Sequence, residues 1–245
     1  MAPLPQVLVL GGTGRTGRYV LQQLLTREVR VRAIVRSADR LPAECSKHPN
    51  METAEAELMA LSEAEMLRHL LGCEAVVSCL GHTASLKGVF GPPLDLVTRA
   101  TRMVFHAART LNAASPLRYV LMSSVSVNHP AGLDPRRRLL ERIVLWALRT
   151  VLPPARDNQG AADFLVHDVG AASRQMEWVI VRPDSLIEGE RSDYSLHPTL
   201  VSSLFTADDA AIANVAHFMC ELVCVAEVWR KWKGGLPVIV NAPSE

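Results

Sequence analysis

The sequence predicts one α/β unit spanning residues 1–245, a doubly wound parallel sheet with helices on both faces and a small substrate-side region toward the C-terminus. Three observations carry this expectation. Strand-like and helix-like segments alternate along almost the whole chain, the pattern of a parallel sheet joined by right-handed crossovers. The first strand-like run stops at a cluster of glycines and passes directly into a helical pattern. A hydrophobic fraction of 49% is enough to bury one large core, whereas two full domains of this length would be cramped.

The elements follow in order. Gln6–Leu10 (QVLVL) is a short apolar strand, and residues 18–26 place Val20, Leu21, Leu24 and Leu25 on one helical face. Residues 29–35 (VRVRAIV) alternate and are rich in β-branched side chains, so they form a second strand. A polar stretch with Pro42 and Pro49 leads to a weaker third strand near residues 51–56. Residues 58–71 have the pattern of an amphipathic helix closed by Gly72. Residues 74–80 (EAVVSCL) are a buried-type strand ending at Gly81, and residues 94–111 carry Leu96, Val97, Ala100, Val104, Ala107 and Ala108 at helical intervals. Residues 118–122 (RYVLM) give a fifth strand ending at Ser123 and Ser124. A helix over about 157–175 leads to a sixth strand, 177–181, ending at Arg182 and Pro183.

Two segments fall outside this alternation: about 130–155, with a basic-then-apolar helix over 133–154, and about 184–206, which is polar and aperiodic. Both follow strands at the edge where doubly wound sheets bind ligands, so they are expected to form the substrate lid. Asp184, Ser185 and Tyr194 are candidates to line it. Residues 207–227 read as a helix and 237–241 (PVIVN) as a last strand, with Trp229 and Trp232 on one face covering the last helix.

Composition removes several function classes. Lys+Arg 26 against Asp+Glu 25 leaves a formal charge of +1, so no overall field favours nucleic acid or an anionic membrane, and any anion binding must be local. The apolar run over 143–154 is interrupted by Arg149 and falls short of the roughly 20 residues of a bilayer span. The N-terminus lacks the pattern of a secretory signal, and the expected location is the cytoplasm. Cys45, Cys73, Cys79, Cys220 and Cys224 are odd in number and sit in apolar contexts, as reduced core thiols do, and no ligand-spaced partner suggests a metal.

Gly11-Gly12-Thr13-Gly14-Arg15-Thr16-Gly17 fits G-x-x-G-x-x-G from Gly11 and G-x-G-x-x-G from Gly12, between a strand and a helix. Missing Cβ atoms let such a turn tighten and let the backbone approach a pyrophosphate, while the helix N-terminus offers free N–H groups and a positive dipole end. The end of the second strand is where an Asp or Glu would accept from the ribose 2′-hydroxyl of NAD. Arg36 stands there instead. Its planar fork matches a phosphate, and Arg15 and Arg40 add charge to the same pocket, so NADP(H) is the expected cofactor.

GGTGRTG, Arg36 after strand two, SCLG after strand four, LMSSVSV at strand five and WVIVRPDSL at strand six together resemble the atypical short-chain dehydrogenase/reductases. The likeness covers most of the chain and is nearest to the NmrA-like and NAD(P)H-binding proteins, with a general similarity to biliverdin-IXβ/flavin reductases. The resemblance implies a Rossmann fold, a bound dinucleotide and a substrate pocket built by the C-terminal part. It places Gly11, Thr13, Gly14, Arg15, Thr16 and Gly17 at the diphosphate and Arg36 at the 2′-phosphate. Glu57 and Leu58 fall beside the adenine, and Leu80, Gly81 and His82 under the adenosine ribose. Ser123 joins the cofactor set, Ser124 falls at the active-site Ser or Thr, and Arg182 and Pro183 lie near the nicotinamide.

The Tyr-x-x-x-Lys acid/base pair of that group is absent: four positions after Tyr19, Tyr119 and Tyr194 stand Gln23, Ser123 and Pro198. In that pair the Lys lowers the phenol pKa for proton exchange with a carbonyl or alcohol. Asn158 stands near the position of the family's Lys and can donate hydrogen bonds without acting as a general acid. Three readings follow. One is an NADPH-dependent reductase of a flavin, quinone or similar conjugated small molecule, since such an acceptor can take its proton from water. A second is an NADP(H)-sensing protein of NmrA type with a regulatory protein partner. The third is an epimerase- or dehydratase-like enzyme using His82, His129 or Asp157. Arg136, Arg137 and Arg138, followed by Leu139, Leu140, Ile143, Val144, Trp146 and Leu148, read either as a lid with a solvated basic start or as a membrane-surface or partner helix.

Overall fold

The computed structural model describes residues 6–82, 90–111 and 113–242. Its strands are β1 (Gln6–Leu10), β2 (Arg30–Val35), β3 (Met51–Glu55), β4 (Cys73–Ser78), β5 (Leu117–Met122), β6 (Met176–Pro183), β7 (Ser185–Ile187), β8 (Tyr194–His197), β9 (Asp209–Ala211) and β10 (Val238–Asn241). Eight of them form one sheet in the order β3-β2-β1-β4-β5-β6-β10-β8, and β7 pairs with β9 in a two-stranded sheet. Every pairing from β3 to β10 is parallel, and only β8 runs antiparallel, against β10. The strand order reverses between β1 and β4, which opens a crevice at their carboxyl ends.

The helices are α1 (Arg15–Thr26), α2 (Ala43–Ser46), α3 (Glu63–Leu70), α4 (Leu96–Leu111), α5 (Leu139–Val151), α6 (Pro153–Asp163), α7 (Ile212–Cys224) and α8 (Ala226–Trp232). The pleat of β1 sends Val7 and Val9 to a core closed by α1, α7 and α8, and Leu8 and Leu10 to a second core closed by α3, α4 and α6. The central strands β1, β4, β5 and β6 are thus covered on both faces, which is why they read as largely apolar runs.

Local chemistry moves several expected boundaries. The helix expected over 58–71 is a single tight turn at Leu58–Ala60 followed by α3, because Ser62 and Glu65 form a capping box. Ser62 Oγ accepts from Glu65 N at 3.3 Å, and Glu65 accepts from Ser62 N at 2.8 Å. The helix expected over 157–175 begins at Pro153, where a proline suits the first turn, and widens into a π-helical turn at Phe164–Val169 that ends on Gly170 at φ 75°. Residues 184–206 contain β7 and β8, and the helix expected over 207–227 opens with β9 and breaks at extended Val225. All five cysteines are unbridged, and burial raises their thiols, Cys79 up to about 12.

Arginines brace the loop beyond β5. Three successive carbonyls, those of Val125, Ser126 and Val127, accept from Arg137, from Arg149 at 2.8 Å and from Arg182 at 3.1 Å. Arg182 is fully buried on β6 and also donates to Leu236 O at 2.9 Å and to the two Asp134 oxygens at 2.6 and 3.0 Å. Asp134 accepts in addition from the N–H groups of His129 and Leu200, at 2.6 and 3.2 Å. One guanidinium therefore ties together β6, the loop after β5, the segment leading into β10 and the loop near 200.

Burial alone would raise the Asp134 carboxyl, but the Arg182 hydrogen bonds and charge, with the two N–H groups, outweigh it and hold the carboxyl below its ordinary value. A carboxyl with a depressed folded pKa stabilises above its unfolded pKa, about 3.9, and loses that effect as pH falls through the folded value. We expect the urea midpoint to fall as pH drops below about 4, and Asp134→Asn to be less stable at neutral pH with a shallower acid-side fall. Arg182→Met leaves Asp134 buried without its partner and is expected to lose about 3–5 kcal/mol by urea unfolding. Arg15→Met breaks a pair with Glu188 whose side chains are both 63% exposed, and should lose no more than about 1 kcal/mol.

Candidate functional site

The parallel register brings the carboxyl ends of β1, β2, β3, β4, β5 and β6 to one edge, and the residues singled out from sequence follow those ends. Gly11 to Gly17 form the turn between β1 and α1. Gly11 has φ 76°, and a Cβ there would stand 2.7 Å from Cys79 O, so the turn lies directly on the exit of β4. A Cβ on Gly17 would stand 2.1 Å from Gly11 O, which makes the close approach of α1 to the turn dependent on glycine. Gly14 N donates to Gly11 O at 3.0 Å, and a Cβ on Gly12 would meet Leu21 Cδ1 at 2.9 Å. No side chain caps α1 and no acid stands in its first turn, leaving its N–H groups directed at the crevice. This cradle fits a pyrophosphate. Thr16 is buried, Thr13 is half-buried, and Arg15 reaches Glu188 just past β7 at 2.9 Å.

Arg36 and Arg40 are exposed beyond β2, and neither guanidinium has a hydrogen-bonding or ionic partner among the described residues. The Glu55 carboxylate accepts from Ala38 N and orders the loop between them. Glu57 is exposed and Leu58 buried at the exit of β3. Leu80 is half-buried and Gly81 exposed past β4, with nothing within 4 Å of a Cβ on Gly81.

His82 follows Gly81 past β4. Its Nε2 lies 2.9 Å from Asp157 Oδ2, and the two side chains are 4% and 0% exposed. Asp157 also accepts from Val97 N at 2.8 Å and Thr98 N at 2.9 Å, so a carboxylate from α6 caps the N-terminus of α4. That pair ties the segment after β4 to α6 and the start of α4.

Past β5, Ser124 Oγ pairs with Ser126 Oγ at 2.6 Å, and Ser123 Oγ is buried with no partner among the described residues. Asn158 is half-buried on α6 and its side chain makes no hydrogen bond among the described residues. His129 N is held by Asp134, and its Nδ1 accepts from Ala131 N at 3.2 Å, which leaves the ring proton on Nε2. Burial lowers its pKa more than Asp134 raises it, favouring the neutral ring. Pro183 is buried and accepts from Val125 N at 3.2 Å. Arg182, expected near a nicotinamide, has a guanidinium that is 0% exposed and committed to Asp134, Val127 and Leu236. Asp184 is likewise occupied, by Ser202 Oγ and Asp208 N.

The tyrosines are placed as structure. Tyr119 is fully buried in β5 with its hydroxyl 2.9 Å from Thr101 Oγ1, and burial pushes its phenol up to about 12. Tyr194 pairs with His217 Nδ1 at 2.9 Å, and burial raises it too. Sequence reasoning missed the three arginine braces and the Asp157 cap, whose partners lie tens of residues away. Among the described residues no group of His, Cys, Asp and Glu could hold a metal, and no single helix is long and apolar enough to cross a membrane.

A parallel sheet in this strand order, with a glycine cradle on an uncapped helix beside the switch point, defines a dinucleotide-binding Rossmann protein. The NAD(P)H-binding family model matches residues 11–224, and the chain belongs to that family. No curated protein matches it by sequence. The fold is similar to that of the oxidoreductase ylbE from Lactococcus lactis, at TM-score 0.70 and 18% identity over 98% of this chain and 92% of that one. It is similar also to a short-chain dehydrogenase/reductase from Veillonella parvula in complex with NADP, at TM-score 0.67 and 16% identity over 98% and 95%. A Streptococcus pneumoniae protein whose proposed activity is NADH-flavin reductase aligns at TM-score 0.64 and 16% identity over 97% and 100%.

The geometry of the turn yields a contrast. Gly17→Ala is expected to destabilise the protein by about 2 kcal/mol or more through overpacking, or to prevent folding. Gly81→Ala, with open space at its Cβ, should leave the thermal midpoint within a degree or two of the parent.

Proposed function

We propose that this chain is an NADPH-dependent oxidoreductase that reduces a flavin, quinone or similar conjugated small molecule, with residues 1–245 acting as one nucleotide-binding unit. The observation that carries the cofactor choice is Arg36, an exposed guanidinium with no partner among the described residues at the end of β2, where an acid would be needed to hold a ribose 2′-hydroxyl. In this reading Arg36 takes the 2′-phosphate and Arg40 adds to the positive field. The cradle from Gly11 to Gly17 takes the diphosphate, with Gly12 and Gly14 keeping the backbone open. Arg15 exchanges its exposed partner Glu188 for phosphate. Glu57 and Leu58 border the adenine, while Leu80 and Gly81 lie under its ribose. Bound NADPH would supply a hydride.

The choice of acceptor rests on which proton donors are missing. Tyr119 is buried and Tyr194 half-buried, and both are raised in pKa and hydrogen-bonded inside the fold, which disfavours proton exchange with a carbonyl at neutral pH. His82 and Asp157 are locked together beneath α4, which argues against an epimerase or dehydratase built on them. A conjugated ring that takes its proton from water needs orientation more than acid catalysis. Ser124, supported by Ser126, and Asn158 provide hydrogen bonds for that purpose, and His129 offers Nε2–H from the loop beyond.

Fluorescence titration with NADPH and NADH tests the cofactor, and absorbance of the reduced nicotinamide with a panel of flavins, quinones and aldehydes tests the acceptor. NADPH should bind more tightly than NADH, and Arg36→Ala should weaken NADPH roughly 10- to 100-fold while leaving NADH unchanged, as expected for one lost charge-assisted contact. Turnover with a flavin or quinone supports the reductase. Differential NADP⁺ and NADPH affinity without turnover would favour a sensor with a protein partner, and absence of dinucleotide binding would sink both.

A further inference from the structure

Helix α5 and its surroundings carry a surface that the nucleotide site does not use. Of the eleven large apolar side chains exposed among the described residues, eight gather here: Leu133, Leu139, Leu140, Ile143, Trp146, Val151, Val201 and Phe205. Leu139, Ile143 and Trp146 repeat at helical spacing and are 68%, 53% and 69% exposed, with Leu140 beside them at 61%. Glu141, on the opposite and buried face, accepts from Ser203 Oγ at 2.8 Å and Leu204 N at 2.9 Å. Those bonds pin the loop that bears Val201 and Phe205 against the same helix.

The exposed charge on the helix segment has one sign, although Asp208 and Asp209, just beyond the loop with Phe205, are exposed acids. Between Pro135 and Arg156 the chain has six arginines and one acid, Glu141, which is 4% exposed and already bonded. Arg142, Arg149 and Arg156 line a cavity of about 470 Å³ together with Asn128, Thr150 and the Trp146 indole. Arg149 is anchored on Ser126 O, while the guanidiniums of Arg142 and Arg156 have no partner among the described residues. A cavity walled by three guanidiniums and two neutral hydrogen-bonding side chains takes a phosphate or another oxyanion.

We propose that α5 is a docking surface for a membrane carrying anionic phospholipid, with the apolar side chains entering the headgroup boundary and the arginine cavity taking a headgroup phosphate. The combination is that of an interfacial helix: an apolar face with a tryptophan, arginines around it and no exposed acid between Pro135 and Arg156. Tryptophan is favoured at such an interface because its body is apolar and its N–H is polar. The helix has 13 residues, too few to span, so it lies on the surface. A second copy of the chain fits less well, because a two-fold contact would set the six arginines against themselves with no exposed acid in the segment to answer them.

The experiment uses the full chain with vesicles of phosphatidylcholine alone or mixed with phosphatidylserine, followed by co-sedimentation and tryptophan emission. Of the four tryptophans only Trp146 is exposed, the others being 2%, 3% and 8% accessible, so a blue shift on adding vesicles reports this helix. Binding to the phosphatidylserine vesicles should exceed binding to phosphatidylcholine by at least about tenfold and weaken with salt. Arg136→Glu/Arg138→Glu/Arg142→Glu and Ile143→Ser/Trp146→Ser, all at exposed positions, should each lower it by at least about tenfold, with the thermal midpoint and NADPH titration unchanged. Trp146→Phe should keep the binding and lose the blue shift.

Equal binding to both vesicles, or none, would overturn the proposal. So would a blue shift with inorganic phosphate or glycerophosphate without partition onto vesicles, which would assign the cavity to a soluble anion. A lipid-free dimer that buries Trp146 would assign the face to a second copy and overturn it equally.

Discussion

The Arg182–Asp134 pair is the constraint on which the ligand edge of this protein rests. A guanidinium with no exposure is tolerated in a sheet only when its donors are met, and here they are met by a carboxylate and a carbonyl of the loop after β5 and by a carbonyl of the segment leading into β10. The consequence is geometric. The loop that carries Ser124, Ser126 and His129 is one on which loops alone would impose little order, yet its carbonyls at 125, 126 and 127 are each held by an arginine. Asp134, at the far end of the same loop, fixes His129 through its N–H and the 200s loop through Leu200. Orientation of small ligands demands a rigid frame, and the buried ion pair supplies it where no regular element does.

The other half of the site is rigid for a different reason. Around Gly11 and Gly17 the backbone of the turn, of β4 and of α1 approach so closely that any Cβ would collide with a carbonyl. Close packing fixes the turn, and the uncapped N-terminus of α1 gives the fixed turn its electrostatic sign. The site is thus assembled from backbone dipoles on one side and from clamped loop side chains on the other. Arg36 stands between solvent and that dipole field with no partner among the described residues to compete for it.

Much of this was legible in the sequence, and the reasons are local. β1, β4, β5 and β6 are buried on both faces, so each reads as a largely apolar run that ends close to Gly, Ser or Pro, while β2 is marked by alternation and β-branched residues. The glycine turn was legible because the pattern sat between a strand and a helix. β8 was not, because Tyr194–His197 is half-buried throughout and pairs only with β10, so neither alternation nor a solid apolar run marks it. α3 began later than its apolar pattern because Ser62 and Glu65 compete for the backbone. Arg182 was placed by its motif alone. Its role depends on Asp134, 48 positions earlier, and that of His82 on Asp157, 75 positions later, pairings that no local pattern encodes.

The same long-range pairings narrow the chemistry. An acid/base group must be both near the ligand edge and able to change its proton there. Tyr119, one strand turn from that edge, is sealed against Thr101, and the pair His82–Asp157 is spent on holding α4 to α6. Among the described residues, the side chains proposed to meet a ligand past β5 are hydroxyl, amide and imidazole groups, which orient and polarise. A loop after β5 whose Asp134 and Arg137 are in structural service fits the proposed reductase, in which a transferred hydride would do the difficult work and solvent would complete the proton balance.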